Sequence, residues 1–251
     1  MILIDNLSFS YNNGFSLKIP KLTIEDNYLH VLIGPNGSGK STFAKILTGM
    51  IKTYSGTVFI DGVDVTKIKF DALSKKITYM NKRFLRDYNI SVYEFVSFGR
   101  FPHKRNIFFE LDSEDKEKIS YALKKVDLEN KQGKMLYELS DGEVQRAYLA
   151  KVLCQETKYA ILDEPTSNLD LKHIKDFLNL LIELKEKVTF FVILHNINEA
   201  LAVFDKLIAF KEGKIYFSWD GIRDFNLQKL RNLYNVQLSS FCDKDKYVVY
   251  F

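Results

Sequence analysis

Short runs of β-branched and aliphatic residues alternate along the chain with longer stretches whose apolar residues recur at helical spacing. The short runs predict strands near 2–9, 29–33, 57–60, 77–80, 158–162, 188–194 and 206–210. The longer stretches predict helices near 40–50, 91–99, 113–126, 141–155, 170–185 and 196–203. Strands interleaved with amphipathic helices argue for an α/β core with a largely parallel sheet. No convincing strand falls within 84–155, so that region reads as a helical insertion between two halves of the core, 1–83 and 156–210. Residues 211–251 carry the short β patterns KIYFSW and KYVVYF around a polar middle and read as a small C-terminal appendage.

Composition narrows the class. Of 251 residues, 46% are hydrophobic and 27% charged, which suits a globular protein with a sizeable core. The net charge of +4 is scattered and forms no basic block, so no nucleic-acid partner is expected. The run VTFFVIL at 188–194 is too short to span a bilayer. The opening MILIDNLSFS has neither a basic region nor a cleavage site, so it is not read as a signal peptide. Cys154 and Cys242 match no metal or redox spacing. A cytosolic, reduced protein is the expectation.

Candidate chemistry begins where LHVLIG runs into PNGSGKST, a strand, a Gly-rich turn and a helix start. It matches G-x-x-x-x-G-K-[ST] at Gly34, Gly39, Lys40 and Ser41, with Asn36, Gly37, Ser38 and Thr42 completing the run. The glycines let the backbone N–H groups curl toward phosphate oxygens. Lys40 adds a charge for the β and γ phosphates, and the Ser41 hydroxyl is placed for Mg²⁺. Downstream, YAILDEP at 159–165 ends a predicted strand on two acids. Asp163 would hold Mg²⁺ through water, and Glu164 would polarise an attacking water. A third stretch, LSDGEVQR at 139–146, opens a helix with Ser140 as cap and Glu143 as its capping-box partner. Such a turn favours an anion, yet Asp141 and Glu143 are themselves acidic. Taken alone, His195 also fits a satisfied core histidine, Tyr11 a strand-end aromatic, and Asp170 a helix cap.

These pieces, in this order, resemble the ATP-binding subunits of ABC transporters over nearly the whole chain. The resemblance is carried by 34–42 (Walker A), 139–143 (the signature), 160–164 (Walker B), SNLD at 167–170 (the D-loop) and His195 in VILHNIN (the switch histidine). It implies a RecA-like P-loop NTPase core, an N-terminal antiparallel β part and an inserted helical subdomain. It implies ATP and Mg²⁺ as cofactors, Glu164 and His195 as catalytic residues, and Tyr11 stacked on adenine. Subunits of this family pair head to tail, here as a likeness to a homodimer. Ser140, Gly142 and Glu143 would then face ATP held by the other subunit, with Asp170 in the D-loop beside them. The family's commonest signature is LSGGQ, so Asp141 and Glu143 are departures, and both acids must turn away from the phosphate. After the strand KKITYM the family places a Gln that meets Mg²⁺. Ungapped spacing puts Lys82 there, a residue with three donors and no acceptor.

The segment ISVYEFVSFGRFPHK at 90–104 resembles the branch that powers import of ferric siderophores, haem and vitamin B12, and most of all ferric-siderophore importers of Gram-positive type. That likeness implies a separate integral membrane permease, a substrate-binding protein behind it, and attachment to the cytoplasmic face of the plasma membrane through the permease. Phe84, Tyr88, Tyr93, Phe95, Phe98, Phe101, Phe108 and Phe109 crowd this region. Part of them would fill the subdomain core, and the rest would line a groove for a permease helix. Two other classes stand beside this one: a soluble ABC ATPase without a permease, and a module that holds ATP without turning it over. Glu164 and His195 argue against the latter.

Overall fold

The computed structural model describes residues 1–251 except 13, 82–88, 105–109, 168 and 244–245. β1 (Ile2–Ser10) and β2 (Ser16–Ile24) form a hairpin, and β3 (Leu29–Ile33) runs through the glycine turn into α1 (Lys40–Leu47). β4 (Ser55–Ile60), β5 (Val63–Asp64), α2 (Phe70–Ser74) and β6 (Ile77–Asn81) follow. The helical part holds α3 (Val92–Ser97), α4 (Ser113–Lys125) and α5 (Asp141–Gln155). β7 (Tyr159–Asp163), α6 (Leu171–Leu184), β8 (Thr189–Ile193), α7 (Ile197–Val203), β9 (Lys206–Lys211) and β10 (Lys214–Trp219) return to the sheet. The chain then runs through α8 (Leu227–Tyr234) into a hairpin of β11 (Ser239–Asp243) and β12 (Lys246–Tyr250).

Among the described residues the main sheet has ten strands, in the order β5-β4-β1-β2-β10-β9-β3-β8-β7-β6. The run β9-β3-β8-β7-β6 is parallel, whereas β1, β2, β4 and β5 pair antiparallel. The α/β core and the N-terminal β part therefore stand as expected. β2 is an addition to the expected strands. Its sequence SLKIPKLTI is broken by lysines and by Pro20, which sits at an exposed position of the strand and masks its period. β10 pairs antiparallel with β9, so Lys214–Trp219 belongs to the main sheet.

β3 and β8 are buried at every position, as befits strands covered on both faces. Successive residues of β3 feed different cores: Leu29, Val31 and Ile33 pack with the helical part, and Leu32 with the N-terminal part. Phe43 of α1 fills the second core, its ring 5.8 Å from Phe191 and 5.5 Å from Phe210. The parallel register puts Leu32 beside Ile193 and Ile193 beside Asp163. The C-terminal ends of β3, β7 and β8 thus lie side by side, the place where open α/β sheets hold ligands.

Candidate nucleotide site

Three chain segments leave the sheet at that edge, and each carries one part of the site. The first is the turn between β3 and α1. Gly34 has φ 144°, and a Cβ there would lie 2.1 Å from the carbonyl oxygen of Phe210, so only glycine fits. α1 has no side-chain cap and no acid in its first turn, which leaves its N-terminal N–H groups for an anion. Lys40 is buried, and its Nζ donates to the carbonyls of Gly34 (2.7 Å) and Pro35 (3.0 Å). Burial pulls its pKa down, and the charges of Glu164 and Asp163 oppose that pull. A cavity of about 610 Å³ is lined by Asn36 through Thr42, Tyr11, Phe15, Glu164 and His195. Tyr11 stands edge-on to Phe9 with ring centroids 4.7 Å apart, and Phe15, 6.3 Å from Tyr11 and not among the expected residues, lines the same cavity.

The second segment is the end of β7. Asp163 Oδ2 accepts from the Tyr79 hydroxyl at 2.8 Å, while Oδ1 is buried without a hydrogen-bond partner. A buried, unpaired carboxylate oxygen is costly unless a cation or its water meets it, so Asp163 together with the Ser41 hydroxyl fits Mg²⁺. Tyr79 escaped the sequence reading because its contact crosses from β6 to β7. Glu164 follows with φ 56°, in the left-handed region, anchored by its N–H donating to Ile193 O at 3.1 Å.

The third segment follows β8. His195 leaves the strand end and puts Nε2 2.6 Å from Glu164 Oε1. Sequence positions 164 and 195 thus meet at the mouth of the same cavity.

The signature turn lies elsewhere, since none of Ser140, Gly142 and Glu143 lines this cavity. Ser140 caps α5, and its N–H donates to Glu143 Oε2 at 3.0 Å. Glu143 also pairs with Lys131, so its charge is turned aside and neutralised. Burial raises the Glu143 pKa, but the bonds from Lys131 and Ser140 together outweigh it and leave the carboxyl below its usual range. Asp170 caps α6, accepting from the N–H of His173 at 2.9 Å and its Nδ1 at 2.8 Å. Lys82 falls outside the described residues, as do Phe84, Tyr88, Phe108 and Phe109.

The GRFPH segment forms a 3₁₀ turn, Phe98–His103, clasped to α5. Buried Arg100 donates from Nε to Asp115 Oδ1 (2.8 Å) and from Nη1 to Cys154 O (2.7 Å) and Glu156 Oε2 (2.9 Å). The His103 ring meets Gln155 O at 2.9 Å. Of the expected aromatic cluster, Phe95 is buried, whereas Phe101 is exposed and stacked on Phe98 at 5.0 Å.

The sheet, the phosphate loop and the acid pair at a neighbouring strand end define a P-loop nucleotide hydrolase. Comparison sharpens the class. Residues 17–167 match the ABC transporter family model, and the chain belongs to that family and is an ATPase of it. It is 36% identical over 217 residues to the petrobactin import ATP-binding protein YclP of Bacillus subtilis (strain 168), covering 86% of this chain and 85% of that one. It is 30% identical over 250 residues to the petrobactin import ATP-binding protein FpuC of Bacillus anthracis, covering 98% and 91%. The fold superposes on the dimeric structure of MJ0796, a bacterial ABC transporter cassette, with TM-score 0.74 and 25% identity over 88% of this chain and 98% of that one. Among the described residues, no helix is long and apolar enough to cross a membrane.

Proposed function

We propose that this chain is the ATP-hydrolysing subunit of an importer, that it works as a pair of identical subunits beneath a separate integral membrane permease, and that the cargo is a ferric siderophore delivered by a substrate-binding protein. The observation that carries the hydrolytic part is the Glu164–His195 contact of 2.6 Å over the phosphate loop. The N–H groups of Asn36 through Thr42 and the Lys40 ammonium hold the phosphates, and Tyr11 and Phe15 take the adenine side. Mg²⁺, when held by Ser41 and Asp163, offsets the charge that gathers on the phosphates. Glu164 takes a proton from the attacking water, and His195 keeps that carboxylate oriented and reaches the γ-phosphate. Ser140, the N–H of Gly142 and the Asp170 loop of the second subunit close the site from the other side. ATP thus joins two subunits, and hydrolysis lets them part.

The iron-chelate reading rests on the GRFPH segment and on relatives named for petrobactin import. Exposed Phe101, stacked on Phe98, suits contact with a permease helix and attachment at the cytoplasmic face of the plasma membrane. Deleting the gene should abolish uptake of a radiolabelled ferric siderophore. Unchanged iron uptake, with loss of haem or cobalamin uptake, would replace the cargo and leave the importer reading in place.

A further inference from the structure

Gly142 lies where a side chain has no room, and the obstacle is in the same chain. A Cβ at Gly142 would stand 2.6 Å from His173 Cδ2 and 2.8 Å from its Cγ. The imidazole of α6 therefore occupies the space that the signature glycine leaves open. The same ring is fixed at its other side. Its Nδ1 is 2.8 Å from Asp170 Oδ1, which also accepts the His173 N–H at 2.9 Å. Those bonds, the backbone one first, hold the Asp170 carboxyl below its usual range, so it is an acceptor only and Nδ1 carries the proton. Upstream, the Ser167 hydroxyl donates to Glu164 O at 2.8 Å, which ties this loop to the catalytic strand end. One imidazole thus spans the signature turn and the cap of the loop that follows Glu164.

We propose that His173 is a positioning residue: it locks the signature turn of α5 to the Asp170 loop, so that the two surfaces a subunit offers to its partner's nucleotide move as one body. The inference rests on the reading that ATP is bound between two subunits. Without the lock, each surface must be ordered separately when the dimer closes, and closure weakens while ATP binding to the single subunit does not. His173 is not a residue of the ATP cavity, so the two effects separate.

The test places His173→Ala, His173→Phe and His173→Asn in a Glu164→Gln background that traps ATP. Binding of a fluorescent ATP analogue to dilute protein is measured alongside ATP-driven dimerisation by size-exclusion chromatography. His173→Phe keeps a ring against Gly142 but has no donor for Asp170, and His173→Asn restores a donor. The expected result is equal analogue binding for all four proteins. Dimerisation should need about tenfold more protein for the Ala and Phe variants, since one hydrogen bond is lost in each subunit, and should recover for Asn. Parental dimerisation by the Ala or Phe variant overturns the lock while leaving the intersubunit site standing. Failure of the Glu164→Gln protein itself to dimerise with ATP overturns the intersubunit site and the lock with it.

Discussion

Glu164 Oε1 and His195 Nε2 stand 2.6 Å apart, although the two residues come from different strands. Glu164 holds this position with a left-handed backbone, φ 56°, a conformation disfavoured for a residue with a side chain. Its N–H bond to Ile193 O, on the strand that carries His195, offsets that cost and brings the two side chains together. The Glu164 carboxylate is thus held in place by the fold itself.

Replacing Glu164 with Gln should therefore leave ATP bound and stop its turnover. The amide keeps the shape but cannot accept the proton, so kcat should fall ~10²-fold or more. ATP affinity, read by equilibrium dialysis, should change little. Wild-type turnover by this variant would remove Glu164 from the mechanism.

What could be read in the chain, and what could not, divides by distance along it. β3 and β8 are short and apolar throughout, and so is most of β7, so all three were legible as buried strands. The phosphate loop and the acid pair are local motifs, and the Ser140 capping box follows from Ser140 and Glu143 alone. Tyr79, Phe15 and His173 gain their roles only through tertiary neighbours. Tyr79 needs β6 laid parallel to β7, and His173 needs α6 packed under α5. The Asp170–His173 half of that arrangement was available as an i,i+3 pair at a helix start, but nothing in the spacing points to Gly142. Likewise GRFPH was legible as a resemblance, whereas Arg100 as its buried anchor was not.

That anchor makes stability depend on acid. Burial raises the Asp115 pKa, but the bonds from Lys104, Arg100 and the Asp112 N–H, with the Lys104 charge, together outweigh it and hold the carboxyl at about 2. An unfolded Asp titrates near ~3.9, so the folded value is the lower one and the stabilisation is complete above that pH. It is lost as pH falls from about 4 through about 2. The wild-type melting temperature should drop across this window more steeply than that of Asp115→Asn. Arg100→Ala, which leaves a buried carboxylate with Lys104 as its only charged partner among the described residues, should cost about 3 kcal/mol at neutral pH. Chemical denaturation with an unchanged midpoint would show that the helical part does not depend on this pair.

Lys82 lies outside the described residues, and the sequence resemblance implies for its position a Gln that meets the metal. A lysine head is strongly hydrated, carries no acceptor and would be repelled by Mg²⁺, so at such a position it cannot serve as the amide does. Lys82→Gln should then raise ATPase activity and lower the Mg²⁺ concentration needed for half activity. Superimposable Mg²⁺ titrations of the two proteins would mean that position 82 does not reach the metal.

Tyr79 gives the proposed metal site a second handle, from the opposite direction. Its hydroxyl donates to Asp163 Oδ2 at 2.8 Å, which fixes the carboxylate and leaves the buried Oδ1 as the oxygen available to Mg²⁺ or its water. A hydrogen-bond partner of this type orients a metal ligand, and its loss typically weakens metal affinity by about 10-fold or more. Tyr79→Phe removes only the hydroxyl, and the ring keeps its packing against the N-terminal core. Asp163 can then rotate, so the variant should need about tenfold more Mg²⁺ for half activity, with kcat at saturating Mg²⁺ close to wild type. Direct binding provides the check that activity cannot: with ATP present, free Mn²⁺ followed by electron paramagnetic resonance should be taken up more weakly by Tyr79→Phe. Equal Mn²⁺ uptake by the two proteins would leave the Tyr79–Asp163 bond as a feature of the sheet edge with no part in holding the metal.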